Sequence, residues 1–214
     1  MAPIFTRLGQ AFGFGASTSS AGAASAGAQA TGGTTNEYVD SGKTFKTHMF
    51  TSSGSLVVEA VGTTHTEFDY LVVGGGGGGS GMAGNFHGCG GSGGGGVRYQ
   101  EGLTLAAGTH PVSVGAGGAG AATAGAHGTN GGQSTLTHDG TPYLAAGGGF
   151  GGTHPNHRPG DTGGSGGAAR MGGAPGETTG TPGPTGLDQQ SPPSSYWGSD
   201  GGASTNDGGG RGGG

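Results

Sequence analysis

The spacings in this 214-residue chain that most invite chemistry lie in and around its glycine runs. Gly74, Gly76 and Gly79 follow Leu71-Val72-Val73 as GxGxxG, with Glu101 about twenty residues on, the letters of a dinucleotide-binding turn. That chemistry needs a helix opening directly after the glycines, because its N-terminal amides and dipole hold the pyrophosphate. The residues that follow, MAGNFHGCGGSGGGG, have no helical period, and no Lys follows the glycines to make a P-loop. GxSxG occurs at 90–94 and 163–167, but a nucleophile elbow also needs a strand-to-helix turn with a placed His and acid. In so glycine-rich a chain the match is expected by chance. Cys89 has His87 nearby, yet the glycines around it offer no scaffold to lower a thiol pKa. His154 and His157, with Asp161, have metal-ligand chemistry, but Pro155 and Pro159 forbid the helix that would aim them together. The residues therefore call for no enzyme, cofactor or metal. What the His154–Asp161 stretch does offer is His, Asn and Arg held between two prolines, a preorganised hydrogen-bonding surface for a glycan or a protein.

Glycine accounts for 61 residues and proline for 10, while Leu, Ile, Val and Phe together supply only 26, too few for a large hydrophobic core. Charged residues are 9% and the net charge is -5, which argues against nucleic acid as a partner. No apolar run approaches a membrane span or a signal-peptide core. One cysteine excludes an internal disulfide.

Three zones follow from composition. Residues 1–36 combine Ile4, Phe5, Leu8, Phe12 and Phe14 with an Ala, Ser, Gly and Thr tract, read as an attachment segment and its linker. Residues 37–73 carry the clearest strand patterns: KTFKTHMF, SLVVEAV and TEFDYLVV, separated by TSSG and GTTH, predict a small antiparallel β-domain built as a meander. Residues 74–214 hold 51 of the glycines. Three-residue spacing recurs there but breaks phase too often for a collagen triple helix. It suits short polyproline-II-like helices of glycine, whose backbone groups must pair with neighbouring runs because the helix has no internal hydrogen bonds. Two islands, 97–115 and 133–149, read as hairpins, the second turning at His138-Asp139-Gly140. The loops around Asn85, Phe150 and Leu187 carry the aromatics and histidines. The expected fold is mainly β with polyglycine II helices and little or no α-helix.

EFDYLVVGGGGGGSG, then THPVSVGAGGAG, then GTNGGQSTLTHDGTPYLAAGGGFGG resemble, in kind and in order, the glycine-rich domain of tailed-bacteriophage tail-fibre and appendage proteins. The resemblance covers 43–152 well and 153–214 by composition only. Ser134, Thr135 and Leu136 stand where that family's hairpin usually has an aromatic after a Ser pair. In members such as the distal adhesins of T-even-like phages, layered polyglycine II helices display loops that bind the host receptor. The resemblance implies a non-enzymatic virion protein of a tail fibre or other appendage. With the residues' own chemistry it gives the expected partners: other virion proteins through the apolar N-terminal residues Ile4, Phe5, Leu8, Phe12 and Phe14, which lie outside the resemblance, and a bacterial surface protein or glycan at the loop residues Phe86, His87, Phe150, His154, Asn156, His157, Arg158, Tyr196 and Trp197; self-association into a homo-oligomer stays open. Two other readings stand beside it: a purely architectural decoration or joining protein, and a glycine-rich ice-binding or matrix protein, which would need a longer unbroken Gly-x-x register.

Overall fold

The computed structural model describes residues 2–8, 27–63, 66–81, 89–153, 160–161, 163–164 and 194–197. Among them there are eleven strands and no helix: β1 (Ala2–Leu8), β2 (Gln29–Thr31), β3 (Thr34–Asp40), β4 (Lys43–Phe50), β5 (Gly54–Ala60), β6 (Glu67–Val73), β7 (Val97–Thr104), β8 (Gly108–Ser113), β9 (Ser134–His138), β10 (Thr141–Ala145) and β11 (Ser194–Trp197). One sheet has the order β11-β7-β6-β1-β4-β3, the other β10-β9-β8-β5-β2, and every pairing is antiparallel.

The period-two pattern is what closes the two sheets on one another. Along β6, Phe68, Tyr70 and Val72 are buried while Asp69, Leu71 and Val73 are only partly so. Leu56 and Val58 of β5, Val112 of β8, Leu136 of β9 and Phe50 of β4 complete one core fed from both sheets. The predicted meander is corrected by this arrangement. The strands 43–50, 54–60 and 67–73 lie where the patterns put them, but β5 belongs to the second sheet and β1 separates β4 from β6. TSSG and GTTH are not two-residue hairpin turns, so the chain crosses between sheets there and lets Phe50, Leu56 and Phe68 reach a single core from opposite sides. The expected hairpin at 97–115 is corrected likewise: β7 pairs with β6 and β8 with β5 and β9, and Leu105 in the crossing between them is fully buried.

Two tight turns hold their hairpins by backbone handedness. Asp139 (φ 47°) and Gly140 (φ 73°) join β9 to β10 with His138 opposite Thr141, as the Asp-Gly pair predicts. Ser41 (φ 50°) and Gly42 (φ 73°) do the same for β3 and β4, with Asp40 opposite Lys43. The start of that hairpin lies in the tract read as linker. Residues 27–36 are instead structural: Ala28 and Ala30 are buried in the core, and Gln29–Thr31 pairs with β5.

Glycine runs leave the strands directly: 74–81 continues β6, 89–96 leads into β7, 115–121 follows β8, 125–132 leads towards β9, and 146–153 continues β10. They are bonded to each other through backbone. Gly74 and Gly77 donate to the carbonyls of Gly96 and Gly93, both at 2.9 Å. Gly75, Gly78 and Gly81 donate to Gly132, Thr129 and Ala126 at 2.9, 2.8 and 2.9 Å. Gly76 and Gly79 accept from Gly118 and Ala121 at 2.8 and 2.9 Å. Every third residue of 74–81 thus faces the same neighbour, and successive residues face three different ones. This close approach leaves no room for side chains: a Cβ on Gly75 would overlap the carbonyl oxygen of Ala116, and one on Gly131 that of Gly75.

Candidate recognition site at the far end of the glycine runs

The sheets fix one end of the glycine layer, at Gly74, Gly96, Gly115 and Ala146, so its other end lies at the chain reversals. Gly81 bonds Ala126, and Gly125 donates back to Gly81 at 3.1 Å. Ser80 Oγ donates to the carbonyl of Gly151 and Gly90 N to that of Gly152. The flanks of three connections, 81–89, 121–126 and 150–161, are thereby gathered at one end.

The base of the third connection is clamped by side chains. Phe150 stacks on the imidazole of His127, with ring centroids 4.5 Å apart and planes 23° from parallel. Asn130 uses both ends of its amide: Oδ1 accepts from Phe150 N at 2.9 Å, and Nδ2 donates to Asp161 Oδ2 at 2.8 Å. Asp161 N in turn donates to the carbonyl of Phe150 at 2.9 Å, which closes the loop. Phe150 and Asp161 are thereby fixed to each other and to Asn130. His127 Nδ1 lies 2.7 Å from the Gly128 carbonyl, which orients the ring under Phe150.

The sequence-derived candidates divide by position. Phe150 belongs to this clamp and is half-buried. Phe86, His87, His154, Asn156, His157 and Arg158 lie outside the described residues, as do Phe12 and Phe14. Tyr196 and Trp197 are in β11, opposite Arg98 and Val97 at the edge of the six-stranded sheet, so the structure does not bring them to Phe150. Ile4, Phe5 and Leu8 are in β1, inside that sheet. Asp161, weighed above as a metal ligand, is bonded to Asn130, and among the described residues no cluster of His, Cys, Asp or Glu could hold a metal. His127 and Asn130 were missed; the one signal for them is a His and an Asn interrupting an otherwise small-residue stretch.

Two other features have chemical character. Between the sheets, Arg98 Nε donates to Tyr70 Oη at 3.0 Å, and Tyr70 donates to Gln100 Oε1 at 2.9 Å. The guanidinium lies 5.1 Å from the Tyr143 ring centre, and His138 stacks on the Tyr143 ring with centroids 6.3 Å apart. Burial pushes the Tyr70 phenol up to about 12, against the pull of the Arg98 charge. Tyr70, Arg98 and His138 are buried, so they specify how the sheets pack. A hollow of about 250 Å3 beside Gly33, Thr34, Phe50, Thr51 and Ser55 has no charged lining, and its Ser53 hydroxyl already accepts from Val114 N.

No curated protein and no solved structure matches the chain. Residues 51–214 match the glycine-rich domain family, from within β4–β5 through the glycine layer to the C-terminal residue. The chain belongs to the glycine-rich domain family.

Proposed function

We propose that this is a non-enzymatic virion protein of a tailed bacteriophage, a tail-fibre or appendage component that displays loops to a host surface protein or glycan. The glycine runs are read as polyglycine II helices, the conformation with three residues per turn and no internal hydrogen bonds. The three-residue periodicity of the lateral bonds along 74–81 supports that reading. One observation carries the function: a side-chain-poor frame gathers the flanks of three connections at the end away from the sheets and clamps one of them through His127, Asn130 and Asp161. A frame so poor in side chains suits recognition by displayed loops.

The test is adsorption of phage particles carrying Asn156→Ala, His157→Ala and Arg158→Ala together. Adsorption should fall at least tenfold with particle assembly intact, and wild-type adsorption would refute receptor binding by this loop. Immunogold labelling with antibody to 153–214 should mark the tips of fibres; label on the head, neck or tail tube would make the protein architectural. The placement of β11 along β7 favours that second reading for Tyr196 and Trp197 alone, since a paired sheet strand is a packing element.

A further inference from the structure

The hollow of about 250 Å3 between the end of β4 and the start of β5 is lined by five hydroxyl side chains, Thr34, Thr51, Ser52, Ser53 and Ser55. Ser53 Oγ accepts from Val114 N at 3.0 Å, which leaves its O–H free to donate. The hydroxyls of Thr34, Thr51, Ser52 and Ser55 have no hydrogen-bond partner among the described residues. These groups stand on fixed backbone. Thr34 lies opposite Met49 in the β3–β4 ladder, and Gly54 and Ser55 lie opposite Val112 and Pro111 in the β5–β8 ladder. At Gly33 the chain enters β3 with φ 63°, and a Cβ there would lie 2.7 Å from the Met49 carbonyl oxygen and 3.2 Å from Phe50 Cε2. That side of the hollow therefore stays free of side chains. The Phe50 ring is 3% exposed, so it offers a ligand no open face to stack on.

We propose that this hollow binds one neutral sugar ring, either the end of a glycan or a free monosaccharide. Each hydroxyl donates once and accepts twice, which matches a ligand whose rim is itself made of hydroxyls. A sugar replaces the bonds of the water it displaces from these groups, whereas an apolar ligand does not. An ion of either sign finds no countercharge, because no charged residue lines the hollow. The volume falls just below the range of about 300–1,000 Å3 that holds drug-sized ligands, so it suits a single ring rather than an oligosaccharide. The assignment goes beyond loop display. Val114 directly precedes Gly115, so the hollow stands at the sheet end of the glycine layer, away from the clamp at Phe150. A ligand this small, held by hydroxyls alone, binds with Kd on the order of millimolar.

The test is an amide NMR titration of the full chain with glucose, galactose, mannose and N-acetylglucosamine, each as the free sugar and as its methyl glycoside. Glycerol and N-acetylneuraminate serve as controls. At least one neutral sugar should move the amides of residues 33, 34 and 51–55 saturably, while both controls at equal concentration move them at least tenfold less. Equal response to the free sugar and its methyl glycoside marks a glycan end, and response to the free sugar alone marks a monosaccharide. Thr51→Ala with Ser52→Ala removes two exposed hydroxyls that bond nothing in the fold, so the spectrum elsewhere should stay as in wild type while binding weakens at least tenfold. Saturable shifts from no neutral sugar, equal shifts from glycerol, tighter binding of N-acetylneuraminate, or undiminished binding by the double variant would each overturn the proposal. The triple variant Asn156→Ala, His157→Ala and Arg158→Ala should bind the sugar as wild type does; loss of binding there would put the ligand at the loop and overturn the assignment to the hollow. The adsorption assay reads the loop alone, so the two readings can fail separately.

Discussion

Gly78 and Gly79 are adjacent in the same run, yet the structure assigns them opposite tolerance to a methyl group. A Cβ on Gly78 would overlap the carbonyl oxygen of Ala119 and lie 2.5 Å from its carbonyl carbon and 3.0 Å from the Gly118 oxygen, all of them backbone atoms that cannot rotate away. A Cβ on Gly79 meets nothing within 4 Å. Gly78→Ala must therefore push residues 115–121 outward. That movement breaks or stretches Gly118 N to Gly76 O, Ala121 N to Gly79 O and Thr129 N to Ala119 O, now 2.8, 2.9 and 3.0 Å. Loss of two or three such bonds at about 1 kcal/mol each, added to an overpacking cost of about 1–3 kcal/mol, gives a destabilisation of roughly 3–6 kcal/mol. In a chain of this size each kcal/mol lowers Tm by about 2–4 °C, so the fall should be roughly 6–24 °C. Gly79→Ala should stay within about 0.5 kcal/mol of wild type, or gain slightly by restricting the unfolded chain. Thermal unfolding followed by circular dichroism, with urea midpoints for both variants, decides the matter. Equal losses at 78 and 79, or a larger one at 79, would refute the assignment of these bonds as the frame's cohesion.

Further expectations follow from the core and the loop clamp. Burial holds the His48 imidazole below its ordinary value of 6.5, with Nδ1 bonded to the Gly32 carbonyl at 2.8 Å and Nε2 unpartnered. The unfolded chain then binds the proton more readily, so the contribution of His48 to stability is complete above about pH 6.5 and is lost as pH falls below it; the drop in urea midpoint from pH 7.5 to 5.5 should shrink in His48→Gln. Burial pushes Tyr70 up to about 12, so absorbance at about 295 nm should show a late tyrosinate step in the folded protein that is absent in Tyr70→Phe. Because its folded pKa is raised, Tyr70 stabilises the fold below about pH 10 and that contribution is lost as pH rises towards 12. Tyr70→Phe also leaves Arg98 Nε without its acceptor and should cost about 1–3 kcal/mol at neutral pH, read by urea denaturation. Asn130→Ala removes both arms of the loop clamp; amide exchange at Phe150 and Asp161 should quicken at least tenfold while β6 and β9 keep their protection.

The sequence made strands legible and their partners illegible. The alternation in KTFKTHMF, SLVVEAV and TEFDYLVV placed β4, β5 and β6 within a residue or so, and Asp139-Gly140 located the β9–β10 turn, because both signals are local. Which sheet each strand joins depends on which faces meet across the core, and no window of residues contains that information. Ala28 and Ala30 looked like linker because an alanine buried in a core has the same letter as one chosen for indifference. The glycine content signalled close backbone approach without side chains, and backbone bonds between the runs are present. The clamp at Phe150 escaped because His127 and Asn130 are 23 and 20 residues away in sequence and meet Phe150 only through the packed runs.

The bonding of the glycine layer also shapes how the protein responds to temperature. Unfolding a hydrophobic core raises heat capacity in proportion to the apolar area exposed, whereas exposing peptide groups lowers it. Here one part of the molecule melts from a compact apolar centre around Phe68, Tyr70 and Leu56, and the other melts by releasing backbone amides and carbonyls to water. The two contributions oppose each other. The heat-capacity increment per residue should therefore fall well below the usual value of about 12–15 cal/mol/K, and the stability curve should be broad and flat, with weak cold destabilisation. Such a frame would keep its geometry over a wider temperature range than its modest apolar content suggests.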